Sequence, residues 1–196
     1  MASLGPVATA EACANYSAAA QTLAEAVLQS TIDPADAIRL IVPLAGWMPP
    51  PLPGSGPLNA QAKAAQDVLG SNLRCAACAA LATAATKYQP SSYQDALSVR
   101  KLVCDTIDAE ATRAADALLD ATYQALRDLR AAVALDLAVR GASLALLIEV
   151  TTAVSMPSLV SAWSLYQDTS REPELVASAD PAHPLFLPLS FPALSR

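Results

Sequence analysis

SSYQDALSVRKLVCDTIDAEATRAADALLDATYQALRDLRAAVALDLAVRG, residues 91–141, decides the fold class. Neither proline nor glycine interrupts it before Gly141. Its apolar positions Val103, Ile107, Ala111, Ala114, Leu118, Ala121, Ala125, Leu129, Ala132, Leu135 and Val139 recur at every third or fourth residue. Such spacing returns to one face of an α-helix, so the span predicts one long amphipathic helix or two in succession, opened by Ser91 or Ser92. Asp105, Asp116, Asp120, Arg127 and Arg130 fall on the opposite, solvated face, whereas Glu110, Asp128 and Asp136 fall on or beside the stripe. Alanines along the stripe permit close helix approach, and the expectation is a mainly α fold built as an antiparallel helical bundle.

Upstream, residues 9–30 are rich in strong helix formers and free of Gly and Pro, which predicts a first helix from Thr9 to about Ser30. In TIDPADAIRLIVPLAGW, Asp33 is a natural N-cap, Pro34 suits the first helical position and Asp36 favours the positive end of the dipole. A second helix is expected from residue 34, burying Ala37, Leu40, Ile41 and Leu44, with Pro43 kinking it or ending it early. Residues 48–58, MPPPLPGSGPL, carry five prolines and two glycines and form a linker. Both a surface loop and a partner-contacting strap flanked by Trp47 fit it. Asn59 is placed to cap a third helix that ends before Pro90.

After Gly141 the texture changes. LLIEVTTAVSMPS is enriched in β-branched residues and predicts a short strand. SLVSAWSLYQD and REPELVAS predict two short helices, capped by Ser158 and Ser170, with Pro173 in the first turn of the second; HPLFLPLSFPAL supplies a returning strand. The domain reading is a helical region over 1–147, including the linker at 48–58, and a βααβ module over 148–196. Trp163 and Leu165, with Leu175 and Val176, are expected on the inner faces of the module's helices. Asp168 and Ser170 cap at the helix junction, and His183 and Pro184 turn the chain into the last strand.

A net charge of −6, 54% hydrophobic and 15% charged residues describe a globular chain whose acidic balance argues against a sequence-independent grip on phosphates. The N-terminus has no basic residue and carries Glu11 early, so no export signal is expected. AIRLIVPLAGWM is too short for a membrane span, and LAVRGASLALLIEV is interrupted by Arg140, so no span is expected either. Cys13, Cys75, Cys78 and Cys104 include one C-x-x-C, but no second pair completes a zinc set and no strand precedes the first; they are expected as small, buried packing residues in a reducing compartment. Phosphate-loop, dinucleotide and hydrolase signatures do not occur, and His183 is the only histidine. Asp116 and Asp120 share one helix face rather than facing each other across a cleft. No catalytic residue, cofactor or metal ligand is expected.

The C-terminal segment resembles the end of the Mu-like phage DNA circularisation proteins. The resemblance rests on Val150, Thr151, Pro157, Leu159, Val160, Leu165, Tyr166, Asp168, Ser170, Arg171, Glu174, Leu175, Val176, Ala177, His183, Pro184, Phe186 and Pro188, and the helical middle adds to it over roughly residues 33–188. Set against the family, its additional N-terminal domain is not expected in this chain, and Ala179, Leu185 and Leu189 stand where Asn and Gly are expected. The resemblance implies a LysM-like βααβ module whose core and interface residues are Trp163, Leu165, Tyr166, Asp168, Arg171, Leu175, Val176, His183, Pro184 and Phe186. It also implies a non-enzymatic tail or baseplate component of a contractile phage, assembled in the host cytoplasm. Its expected partners are hub, tube or wedge proteins and further copies of itself in a symmetric ring, without membrane or nucleic acid. Peptidoglycan binding through the module and handling of DNA ends are the alternatives.

Overall fold

The computed structural model describes residues 10–53 and 56–195, so Thr9, Gly54 and Ser55 lie outside the described residues. The chain is mainly helical: α1 (Ala10–Ser30), α2 (Pro34–Ala45), α3 (Pro57–Lys87), α4 (Tyr93–Asp116), α5 (Asp120–Gly141), β1 (Leu147–Thr151), α6 (Ser158–Tyr166), α7 (Glu172–Ala179) and β2 (Ser190–Leu194), with a 3-10 turn at Thr169–Arg171. It divides into two units, one from residues 1–89 and 99–137 and the other from residues 90–98 and 138–196. The second unit therefore also holds residues ahead of 148.

In the first unit, α2 starts as its sequence dictates, with the Asp33 carboxylate accepting from the Ala35 N–H at 2.8 Å and Pro34 in the first turn. It runs through Pro43 to Ala45 and buries Ala37, Ile38, Ile41 and Ala45. Leu40, expected inside, is 54% exposed, because the buried stripe lies over Ile38 and Ile41 instead. These residues join Ala77, Cys78 and Leu81 of α3, Val103, Ile107, Ala111 and Ala114 of α4, and Leu126, Val133 and Leu137 of α5 in one core. Large members such as Ile41, Leu81, Ile107 and Leu137 each contribute about 1.5–3 kcal/mol by leaving water.

α3 begins at Pro57 rather than after Asn59, whose side chain instead donates to the Pro53 carbonyl at 2.6 Å. By length and composition α3 is long and apolar enough to cross a membrane, which corrects the expectation that no such stretch exists; 56% of its most apolar window is buried within the fold, as in a core helix. The long span 91–141 is two helices. Ser92 Oγ caps α4 by accepting from the Asp95 N–H, and the Asp95 carboxylate accepts from the Ser91 N–H in return. The break falls at Leu118, which has φ 56° and is 85% exposed. The stripe therefore does not continue in phase: Ala121, Ala125, Ala132, Leu135 and Val139 are exposed, and α5 buries Leu126, Val133 and Leu137. Cys13, expected in the interior, is also exposed.

In the second unit, β1 and β2 pair antiparallel from Leu147 opposite Leu194 to Thr151 opposite Ser190. Pro192 faces Glu149 in this two-stranded sheet, where a missing ladder donor is tolerated. Gln94 extends the order at the start of β1: its amide accepts from the Leu147 N–H at 2.7 Å and donates to the Leu147 carbonyl at 3.2 Å. Gly141 allows the start of α4 and the end of α5 to touch, since a Cβ there would lie 2.8 Å from the Ala96 Cβ. Ala162, Leu175, Ala179, Leu187, Phe191 and Ala193 form the unit's core, with Val150, Leu165 and Tyr166 packed against it.

Candidate docking surface

α6 sorts its residues by helical phase. Ser158, Ser161 and Ala162 are buried and Leu165 is half-buried, which is the i, i+3, i+4, i+7 pattern of one inner face. Trp163 stands one position out of that phase and is 55% exposed, which corrects its expected place in the core; Leu159 and Val160 share its outward face, at 55% and 50%. On α7, Leu175 is fully buried in the core, whereas Val176 is half-buried.

The loop before β2 is bonded to the start of α6. The Ser158 N–H donates to the Pro184 carbonyl at 2.8 Å, the Leu187 N–H to the Met156 carbonyl at 3.1 Å, and Ser155 Oγ to the Leu187 carbonyl at 2.7 Å. Leu187 is thereby drawn into the core, while its neighbours Leu185 and Phe186 stay outside at 56% and 69% exposure. Backbone bonding thus ties the loop to the start of α6 and leaves Leu185 and Phe186 exposed on it. His183 and Pro184 are also exposed; the His183 Nδ1 accepts from the Leu185 N–H at 3.1 Å, and its ring lies 6.1 Å from that of Phe186. His183 makes the turn expected of it.

The acid and the serine at the helix junction are occupied with backbone order. Asp168 Oδ1 accepts from the Ser170 hydroxyl at 2.7 Å and the Ser170 N–H at 2.8 Å, so Asp168 is the capping residue and Ser170 its donor. Those bonds, the hydroxyl's first, hold the Asp168 carboxyl below its ordinary range. Ser158 also does not cap α6; it is the first helical residue, following Pro157, and its hydroxyl donates to Glu172. The Arg171 guanidinium lies 4.0 Å over the Tyr166 ring and bonds Glu174 at 2.9 Å, and burial pushes the Tyr166 hydroxyl up. Of the ten expected module residues, Leu175 belongs to the core and Leu165 and Tyr166 pack against it, whereas Trp163 and Phe186 are exposed. In this arrangement the Ser170 hydroxyl donates to the Asp168 cap and the His183 Nδ1 serves a turn.

A second cluster, in the first unit, has no counterpart among the residues expected to carry function. Glu110 is fully buried and accepts from Arg74 Nε at 2.5 Å, Arg74 Nη2 at 3.3 Å, Ser71 Oγ at 3.0 Å and Arg113 Nη1 at 3.1 Å. Its acid on an otherwise apolar stripe was the available signal, but the partner Arg74 lies on another helix. The cluster adjoins a cavity of ≈ 480 Å³ lined by Met48, Pro49, Val68, Ser71, Arg74 and Arg113 among others. Burial pushes the Cys78 thiol up to about 12, and burial also raises Cys75 and Cys104, which keeps these thiols protonated. Among the described residues, no group of three or more His, Cys, Asp or Glu side chains is placed to hold a metal ion.

No protein-family model matches the chain, and no curated protein matches it.

Proposed function

We propose that this chain is a non-enzymatic structural component of a contractile phage tail or baseplate, docking onto hub, tube or wedge proteins through its C-terminal module. The observation that carries the reading is the outward apolar surface of Leu159, Val160, Trp163, Leu185 and Phe186 on a small, internally bonded unit. Exposed apolar side chains that include aromatic rings are what a docking face requires, because buried aromatic anchors carry much of the energy at protein interfaces. The βααβ order and the antiparallel β1–β2 pairing are consistent with a LysM-like module. The resemblance to the Mu-like circularisation proteins gives the assembly its identity. In this reading the helical part is an antiparallel bundle, copies form a symmetric ring assembled in the host cytoplasm, and no cofactor takes part.

The test is a particle preparation in which the wild-type chain and Trp163→Ser with Phe186→Ser compete for incorporation, followed by cross-linking and mass spectrometry. Incorporation of the wild type beside hub, tube or wedge proteins, and exclusion of the variant, supports the proposal. Particles that lack the chain, or that take both forms equally, overturn it.

A second reading draws on the exposed Trp163 indole, a face on which a sugar ring can stack: retention of peptidoglycan. Purified cell wall that fails to recover the wild-type chain removes that reading and leaves the first untouched.

A further inference from the structure

We infer that residues 47–53 form a preformed polyproline II ligand, displayed on α3 for a partner protein with an aromatic-lined groove. The conformation follows from the sequence. Pro49, Pro50, Pro51 and Pro53 have their own φ fixed, and Met48, Pro49, Pro50 and Leu52, each preceding a proline, are pushed to extended ψ. A polyproline II helix makes no internal hydrogen bonds and repeats every three residues, so every third carbonyl faces the same side and is open to donors spaced along it.

α3 supplies them. Arg74 Nη1 donates to the Trp47 carbonyl at 3.3 Å, Gln66 Nε2 to the Pro50 carbonyl at 3.1 Å and Asn59 Nδ2 to the Pro53 carbonyl at 2.6 Å. The acceptors 47, 50 and 53 are three apart, and the donors 74, 66 and 59 are eight and seven apart in the opposite direction. The steps match: three polyproline residues rise about 9 Å, and seven or eight helical residues about 10–12 Å. Gly70 lets the two elements close up, for a Cβ there would meet Arg74 Nη1 at 2.9 Å and Pro49 Cδ at 3.5 Å.

One edge of the strap is thus satisfied by α3, Pro49 is half-buried beside Gly70, and the other residues are exposed. Met48 is 59% exposed, Leu52 38% and Trp47 41%, and Pro50, Pro51 and Pro53 are exposed as well. A rigid, apolar segment with Pro50 and Pro53 at P-x-x-P spacing is the chemistry that aromatic grooves recognise, because the ordering cost is already met before binding. The ladder adds to this by holding the segment to the protein surface. The inference does not depend on the tail assignment.

The test is a titration of the full-length ¹⁵N-labelled chain with an isolated WW domain, a probe whose groove is lined by aromatic rings. Saturable shifts at the Met48 and Leu52 amides and the Trp47 indole are expected. Pro51→Ala with Leu52→Ala, which spares all three ladder carbonyls, is expected to weaken binding roughly tenfold or more, with the circular dichroism unchanged. Gln66→Ala, which removes one rung and no groove contact, is expected to weaken it less. No saturable shift with the wild type, or undiminished binding by the Pro51/Leu52 variant, overturns the inference.

Discussion

Glu110 is a fully buried carboxylate whose charge is met by two guanidinium groups and a hydroxyl. Such a site is asymmetric in its energetics: removing one partner strands a charge in low dielectric, whereas replacing both by apolar groups need not cost anything. Glu110→Ala is therefore expected to cost about 3–5 kcal/mol in urea unfolding, and Arg74→Met with Glu110→Leu to recover most of it. A single variant as stable as the wild type would refute the reading. Cys78 gives a second expectation at this scale. Its thiol ionises only near 12 when folded, so between the ordinary thiol range and that value the unfolded chain gives up the proton first. The site's stability contribution is complete below the ordinary thiol range and is lost as pH rises toward 12. At neutral pH, iodoacetamide followed by mass spectrometry is expected to label the exposed Cys13 and leave the buried Cys78 unmodified until denaturant is added. Labelling of both at the same native rate contradicts the burial argument.

Among the elements, the turn between α4 and α5 departs most from its sequence pattern. An apolar residue every third or fourth position is equally compatible with one helix and with two that break at Leu118; only the positive φ there, 56°, decides. A non-glycine residue pays roughly 1–2 kcal/mol for that conformation, and Leu118 returns little of it, being 85% exposed. Leu118→Gly is expected to stabilise the chain by up to about 1 kcal/mol after the added freedom of the unfolded state is subtracted. A higher urea midpoint at unchanged slope is the supporting result. The opposite substitution belongs to the junction inside the second unit: Gly141→Ala places a methyl 2.8 Å from the Ala96 Cβ and is expected to cost about 1–3 kcal/mol, with Ala96→Gly restoring part of the loss. Helix starts at Asp33 and Ser92 were legible because capping is local chemistry. The phases of α5 and α6 were not, because Leu118 resets the first, and one position separates the inner Ala162 from the outward Trp163. A tryptophan in an apolar run looks like core until the loop at 183–187 shows which side is already filled.

At the scale of the whole molecule, the apolar spacing of residues 91–141 made the helical class legible, and the segments after Gly141 the strand-helix-helix-strand order. Neither showed that the second unit reaches back to residues 90–98, because the Gln94 amide that pairs with Leu147 is separated from it by the whole of α5. The three-rung ladder beneath the proline strap was hidden for the same reason. Charge, by contrast, needs no fold to be read. The chain carries a net −6, and between residues 148 and 195 Glu149, Asp168, Glu172, Glu174 and Asp180 stand against Arg171 alone. Arg171 is itself committed to Glu174 and the Tyr166 ring. Binding to DNA without sequence preference comes from cations that displace counterions, and its affinity rises steeply as salt falls. A chain with this acidic balance has little of that term to recover at low salt, whereas an apolar docking face is nearly indifferent to it. The mobility of linear double-stranded DNA is therefore expected to be unchanged by the chain at about 50 mM salt. Incorporation into particles is expected to survive about 0.5 M salt and to fall when Trp163 and Phe186 are replaced. Salt-sensitive retention of DNA ends would instead favour the end-handling alternative over the docking proposal.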